Sequence, residues 1–148
     1  MIRNFELYTS EMTDEENNYI LPRLLNLLIL AIGKEKAITN KQILTDINIT
    51  NPIEYTLEDD PTGTYKTIKT RSARIRHMIH ILRVSDTIPY LLASAKGYYI
   101  SIDKDEIIDY ISSIEDRLRS IYSIRKALKN QLTDFSANRI SIQQKLNF

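Results

Sequence analysis

The side chains best suited to catalysis or metal binding are the two histidines, His77 and His80. They are three positions apart, a spacing that places both on one face of a helix and is compatible with a metal pair. A zinc site needs further ligands, but the sequence contains no cysteine and no H-E-x-x-H motif. We therefore interpret both histidines as polar surface residues and predict that the protein binds no metal.

Other patterns typical of enzymes are also missing from the sequence. The three glycines, Gly33, Gly63 and Gly97, are far apart and cannot form a glycine-rich phosphate loop. Asp59 and Asp60 stand together in a stretch rich in turn-forming residues, where acidic side chains are expected for backbone reasons. The sequence therefore predicts a protein that is not an enzyme and needs no cofactor.

A local excess of positive charge surrounds the histidines, although the net charge of the whole chain is only +1. Residues 64–83 contain no acidic side chain and six basic ones: Lys66, Lys69, Arg71, Arg74, Arg76 and Arg83. Such a local excess attracts a polyanion even when the total charge is near zero. Two interpretations stay open, namely a nucleic-acid-binding surface and an ordinary solvated helix face.

The basic stretch has the periodicity of an amphipathic helix. Four apolar residues follow the spacing i, i+3, i+4, i+7 and form one stripe: Ile75, Met78, Ile79 and Leu82. We predict a helix over about residues 70–83 with this stripe buried. Arg76 and His80 are expected on the solvent face.

The residues after this helix predict a β-hairpin. Residues 88–93 and 98–102 are short runs rich in apolar, β-branched and aromatic side chains. The loop between them, Ser-Ala-Lys-Gly, ends in the glycine that a tight hairpin needs. A basic helix followed by a hairpin with Lys96 and Gly97 at its tip is typical of the recognition helix and wing of a winged-helix DNA-binding domain.

Helices are also predicted before the basic helix. Thr13 and Glu16 match a capping box, which predicts a short helix that Pro22 interrupts. A new or restarted helix is expected from about Pro22 to Ile32, buried on nearly all sides because it is almost entirely apolar. Residues 38–47 predict a second, scaffold helix. Residues 48–69 occupy the position where a helix-turn-helix normally has a tight turn. Apolar and polar side chains alternate within this segment, which predicts an inserted β-hairpin, with a flexible loop as the alternative.

A long C-terminal helix is predicted over residues 104–134, with Asp103 as its N-cap. Its apolar residues recur at alternating steps of four and three, which is the heptad spacing of a coiled coil, with Arg125 at one step. We expect a homodimer through the distal part of this seam: Ile114, Leu118, Ile121, Leu128 and Leu132. In the alternative arrangement the tail, residues 135–148, covers the seam with Ile140, Ile142, Leu146 and Phe148.

Three motifs of this chain resemble those of a known family. Two of them, R-x-R-x-x-I-x-x-L-R and I-P-Y-L-L-A-S, precede the third. The third, at residues 96–121, is K-G-Y-Y-I-S-I-D-K-D-E-I-I-D-Y-I-S-S-I-E-D-R-L-R-S-I. Over about residues 38–127 the chain resembles small bacteriophage winged-helix proteins encoded near replication and regulation genes. The resemblance implies a mainly α fold with a small β component (α+β), a winged helix-turn-helix, and double-stranded DNA binding without catalysis. The expected DNA-binding residues are Lys69, Arg71, Arg74, Arg76, His77, His80, Lys96 and Tyr98.

The expected organisation is a winged-helix domain over residues 1–103, the long helix, and the tail. No secretory signal is visible, and the apolar run at residues 24–32 is too short to cross a bilayer. We therefore expect a soluble protein in the cytoplasm of a bacterial host. The competing functional hypothesis is a winged-helix adaptor for phage assembly, replication loading or anti-defence that binds protein rather than DNA.

Overall fold

The computed structural model describes residues 11–56, 62–63, 65–135 and 143–146. These residues are mainly helical, with two small antiparallel sheets of two strands each, which confirms the predicted α+β class. The chain divides into two compact units, Met1–Lys104 and Asp105–Phe148. Each unit is described by itself.

The first helical stretch begins with the predicted capping box. The Thr13 hydroxyl accepts from the backbone N–H of Glu16 at 3.1 Å, and the Glu16 carboxylate accepts from the N–H of Thr13 at 3.0 Å. A π-helical segment, Glu16–Ile20, continues directly into α1, Leu21–Ile29. The cap therefore fixes where the helical stretch starts.

The prediction that this helix is buried on nearly all sides and runs to Ile32 is wrong. Leu24 and Leu28 are fully buried, but Leu30 is 73% exposed. The helix ends early because the residues after it pair with a strand instead. The backbone N–H of Ile100 donates to the carbonyl of Ala31, and the N–H of Gly33 donates to the carbonyl of Ile100.

The second predicted helix begins with a capping box. A short 3-10 turn, Lys34–Lys36, precedes it, and Thr39 and Gln42 form a reciprocal capping box at the start of α2, Asn40–Thr45. A second π-helical segment, Asp46–Thr50, extends α2. Ile43 and Ile47 are fully buried on its inner side.

The predicted insertion is a β-hairpin. Strand β1, Ile53–Thr56, pairs antiparallel with β2, Tyr65–Ile68, and places Ile53 opposite Ile68, both buried. Further out, the ring of Tyr55 stacks on Tyr19 with centroids 4.5 Å apart. Residues 57–61 and 64 lie outside the described residues.

Asn48 closes the base of this insertion. Its side-chain amide donates to the carbonyl of Thr70 at 2.9 Å and accepts from the N–H of Thr70 at 2.9 Å. These two hydrogen bonds hold the first and last residues of the insertion together. The end of α2 and the start of α3 are therefore close to each other.

The basic helix is α3, Ser72–Val84. It leads into strands β3, Leu91–Ser94, and β4, Gly97–Ile100, which pair antiparallel with Ser94 opposite Gly97 and leave a two-residue turn. The predicted hairpin is thus confirmed, with shorter strands than expected.

Strand β4 also pairs on its other side. The backbones of Ile38 and Tyr98 exchange hydrogen bonds of 2.9 and 2.8 Å. Gly97 has φ +118°, and a Cβ built on it would lie 2.4 Å from the Ile38 carbonyl carbon. Only glycine tolerates both that backbone conformation and that approach.

One hydrophobic core joins the elements of the first unit. The helices contribute their inner sides to it, the inserted hairpin its base, and the second hairpin the start of β3. Its buried residues are Ile20, Leu24, Leu28, Ile43, Ile47, Ile53, Ile68, Ile75, Met78, Ile79, Leu82, Ile88 and Leu91. The core therefore fixes α3 along its whole length and leaves its opposite side to solvent.

The second unit consists mainly of α4, Lys104–Thr133, a helix of 30 residues, which confirms the predicted long helix. Residues 143–146 are also helical, and Leu146 is 73% exposed. The other proposed tail contacts, Ile140, Ile142 and Phe148, lie outside the described residues. In the part of the chain that the structure describes, no helix has a stretch both long and apolar enough to traverse a bilayer.

Candidate nucleic-acid interface

The solvent face of α3 is the centre of the candidate interface. The predicted stripe is buried, since Ile75, Met78, Ile79 and Leu82 are each at most 2% exposed. Arg76 and His80, on the other side, are exposed, and His77 is half-buried. Both halves of the amphipathic prediction are therefore confirmed.

Two further cations precede this helix. Lys69 and Arg71 are exposed, and Arg71 is the N-cap residue of α3, whose own side chain makes no capping hydrogen bond. Within the described residues, neither Lys69, Arg71 nor Arg76 forms an ion pair. The N-terminus of α3 thus combines the positive end of the helix dipole with exposed basic side chains, as anion-binding helix ends do.

Arg74, one of the expected DNA-binding residues, does not belong to this exposed set. Its guanidinium donates two hydrogen bonds to the Glu16 carboxylate, of 2.9 and 2.6 Å. The Arg74 and Glu16 side chains are only 14% and 9% exposed. A charge-assisted, two-pronged pair of this kind fixes both side chains.

The pair also changes the titration of its members. The hydrogen bond from Arg74 holds the pKa of Glu16 below its ordinary value of 4.5, although burial of the carboxyl opposes this. The hydrogen bond to Glu16 raises the pKa of Arg74. Both groups therefore stay charged at neutral pH, and Arg74 is a structural link between the first helical stretch and α3.

A second cation of the basic stretch, Lys66 on the inserted hairpin, also forms an ion pair. Lys66 donates to the Glu15 carboxylate at 3.1 Å, and the Tyr55 hydroxyl donates to the same oxygen at 3.3 Å. The hydrogen bond to Glu15 raises the pKa of Lys66. Tyr55 and Lys66 thus contact the first helical stretch, and Lys66, although exposed, has an acidic partner there.

The second hairpin presents one of its two predicted contact residues. Lys96 is exposed in the two-residue turn, where its backbone N–H donates to the Ser94 hydroxyl at 3.1 Å. Tyr98 is half-buried and packs against the core. Lys96 is therefore available to a ligand, while much of Tyr98 serves the packing of β4.

The described residues contain no group of three or more histidine or acidic side chains that could hold a metal ion. His77 and His80 thus have no further ligands among those residues. Searches for similar proteins return no matching family model, no matching curated protein and no matching solved structure.

Proposed function

We propose that this protein is a non-catalytic, double-stranded DNA-binding protein with a winged helix-turn-helix fold. In this proposal α2 is the scaffold helix, α3 the recognition helix and the β3–β4 hairpin the wing. The observation that carries it is the solvent face of α3, where Arg76, His77 and His80 follow the exposed cations Lys69 and Arg71.

The order and pairing of the elements support the fold assignment. A helix, a bridging segment at Ile38, the scaffold helix, the recognition helix and a hairpin follow one another. The inserted hairpin departs from the usual tight turn, but the Asn48–Thr70 hydrogen bonds bring its two ends together. The insertion is therefore compatible with a helix-turn-helix arrangement of α2 and α3.

The exposed residues suit the two kinds of contact that duplex recognition uses. Arg76 carries a planar set of donors that fits a guanine edge or a phosphate, and it lies near the middle of α3. Lys69 and Arg71 are placed at the N-terminal end of α3 to bind backbone phosphates. Lys96 at the wing turn adds a further phosphate contact. The chemistry is that of binding alone.

Single substitutions test the assignment of these residues. Arg71→Ala and Arg76→Ala should each weaken binding to a duplex about tenfold. Each should also make the slope of the logarithm of the association constant against the logarithm of the salt concentration shallower by about one unit. Lys126→Ala is the matched control, because it removes one exposed positive charge from α4. Fluorescence anisotropy measures affinity, and thermal unfolding should show that all three variants remain folded.

Equal affinities for the wild type, Arg71→Ala and Arg76→Ala would remove α3 from the interface. If the folded wild type binds no duplex at all, the protein-interaction adaptor becomes the better hypothesis. That alternative predicts no salt-dependent shift with any duplex, whereas DNA binding predicts one.

A further inference from the structure

The second unit carries an apolar seam along one side of α4. Ile114 is half-buried, and the other seam side chains are 50–69% exposed: Ile111, Leu118, Ile121, Leu128 and Leu132. Ile108, Tyr122 and Ile124 widen this face and are 48–60% exposed. An apolar face of this length is uncommon on a monomer.

The charges of α4 are separated along its length. Its first half, residues 104–116, carries one cation and five acids: Asp105, Glu106, Asp109, Glu115 and Asp116. Its second half, residues 117–133, carries no acid and five cations: Arg117, Arg119, Arg125, Lys126 and Lys129. A second helix with the same charges complements this one only when it runs in the opposite direction.

We propose that α4 pairs with α4 of a second copy of this chain as an antiparallel coiled coil. A parallel pair would place the basic half on the basic half and Arg125 against the partner's Arg125, which is unfavourable at a seam position. In the antiparallel pair the acidic half of each helix lies along the basic half of the other. The charge distribution therefore selects both the occupant of the seam and its direction.

The register follows from matching the seam residues. When Leu118 faces the partner's Ile121, Ile111 faces the partner's Leu128. In the same alignment Arg125 lies opposite the partner's Ile114 and beside the partner's Glu115. The one cation of the seam thus gains an acidic neighbour, and the two helices overlap over nearly all of their length.

Single labels distinguish the two directions, because the chain contains no cysteine. Asp109→Cys, Ser123→Cys and Asn130→Cys introduce labelling sites on the exposed outer side of the helix, at separations that are multiples of seven residues. In the antiparallel pair the two labels of a dimer are offset along the axis by about 30 Å at 109 and 130 but only about 10 Å at 123. A parallel pair has no offset at any of them.

Electron spin-resonance distances on the full chain should therefore be short at 123, and longer and equal to each other at 109 and 130. Three equal distances would overturn the antiparallel arrangement. A monomer by light scattering at tens of micromolar would overturn the pairing itself and assign the seam to the tail or to a different protein.

A charge exchange tests the proposed register. Glu115→Arg and Arg125→Glu should each weaken the dimer about tenfold, and the double variant should restore it. The two positions are about 15 Å apart within one helix, so they cannot pair inside a chain. Failure of the double variant to recover would contradict the register. This inference rests on α4 alone, so its outcome is independent of DNA binding by α3.

Discussion

The Glu16 carboxylate performs two tasks in the first unit. It accepts the Thr13 N–H in the capping box, and it accepts two hydrogen bonds from the Arg74 guanidinium. Because both side chains of the ion pair are nearly buried, removal of either one leaves a charge with little solvent around it. The pair holds α3, which carries the candidate interface, against the first helical stretch.

We expect Arg74→Ala to lower the free energy of unfolding by about 2–4 kcal/mol, as the loss of one partner of a buried pair does. Urea denaturation measures this change. Arg119→Ala is the matched control, because Arg119 pairs with Asp116 on the surface, where the two side chains are 74% and 70% exposed. That substitution should cost less than about 0.5 kcal/mol. Equal losses in both variants would show that the Arg74–Glu16 pair is not a structural link.

The lowered pKa of Glu16, caused first by its hydrogen bond from Arg74, makes stability depend on pH. A carboxyl whose pKa is lower in the folded state binds fewer protons there than in the unfolded state. Its contribution is therefore complete above its ordinary value of 4.5 and is lost as the pH falls through its folded pKa.

Denaturation of the wild type and of Glu16→Gln between pH 7 and pH 3 tests this linkage. The wild type should be the more stable at pH 7, and the difference between the two proteins should shrink as the solution becomes acidic, because the substituted amide does not titrate. A difference that stays constant over the whole range would contradict the assignment of the shift to this group.

Part of the residue-scale arrangement could be predicted from the sequence. The Thr13–Glu16 capping box is local and was predicted from its spacing. The partner of Arg74 was not, because Glu16 is 58 residues away and no pattern within α3 distinguishes Arg74 from the exposed Arg76. The same limit applies to Lys66, whose partner Glu15 belongs to a different element.

Strand β4 requires glycine at position 97. Gly97→Ala should lower the free energy of unfolding by about 3 kcal/mol, since a Cβ would lie 2.4 Å from the Ile38 backbone at φ +118°. Gly63→Ala is the control: it has φ +64° but nothing within 4 Å, so it should cost only about 1 kcal/mol. Calorimetry measures both, and a tolerated Gly97→Ala would contradict the close approach of β4 and Ile38.

Helices with a clear periodicity were predicted to within a few residues. The helix expected over residues 70–83 is Ser72–Val84, because its four apolar positions face a core on one side only. The apolar run at residues 24–32 misled the prediction for α1, since its last residues leave the helix to pair with β4. Pairing between distant segments has no local sequence signal.

At the scale of the molecule, the distribution of charge carries more information than its total. The net charge of +1 conceals a face of α3 where exposed cations have no acid within the same stretch, and a helix α4 whose halves have opposite charge. Ion pairs with Glu15 and Glu16 remove Lys66 and Arg74 from the basic set. The expected DNA-binding cations that are exposed and form no ion pair among the described residues are therefore the ones assigned to the proposed interface: Lys69, Arg71, Arg76 and Lys96.

The salt dependence of duplex binding by the full-length protein tests the central proposal most directly. With Lys69, Arg71, Arg76 and Lys96 as phosphate contacts, the logarithm of the association constant should fall linearly with the logarithm of the salt concentration, with a slope of about −3 to −4 per protein chain. Fluorescence anisotropy with a labelled duplex, at salt concentrations from about 50 to about 200 mM, measures this slope. A slope near zero, or no binding of the folded protein at the lowest salt concentration, would contradict the proposal.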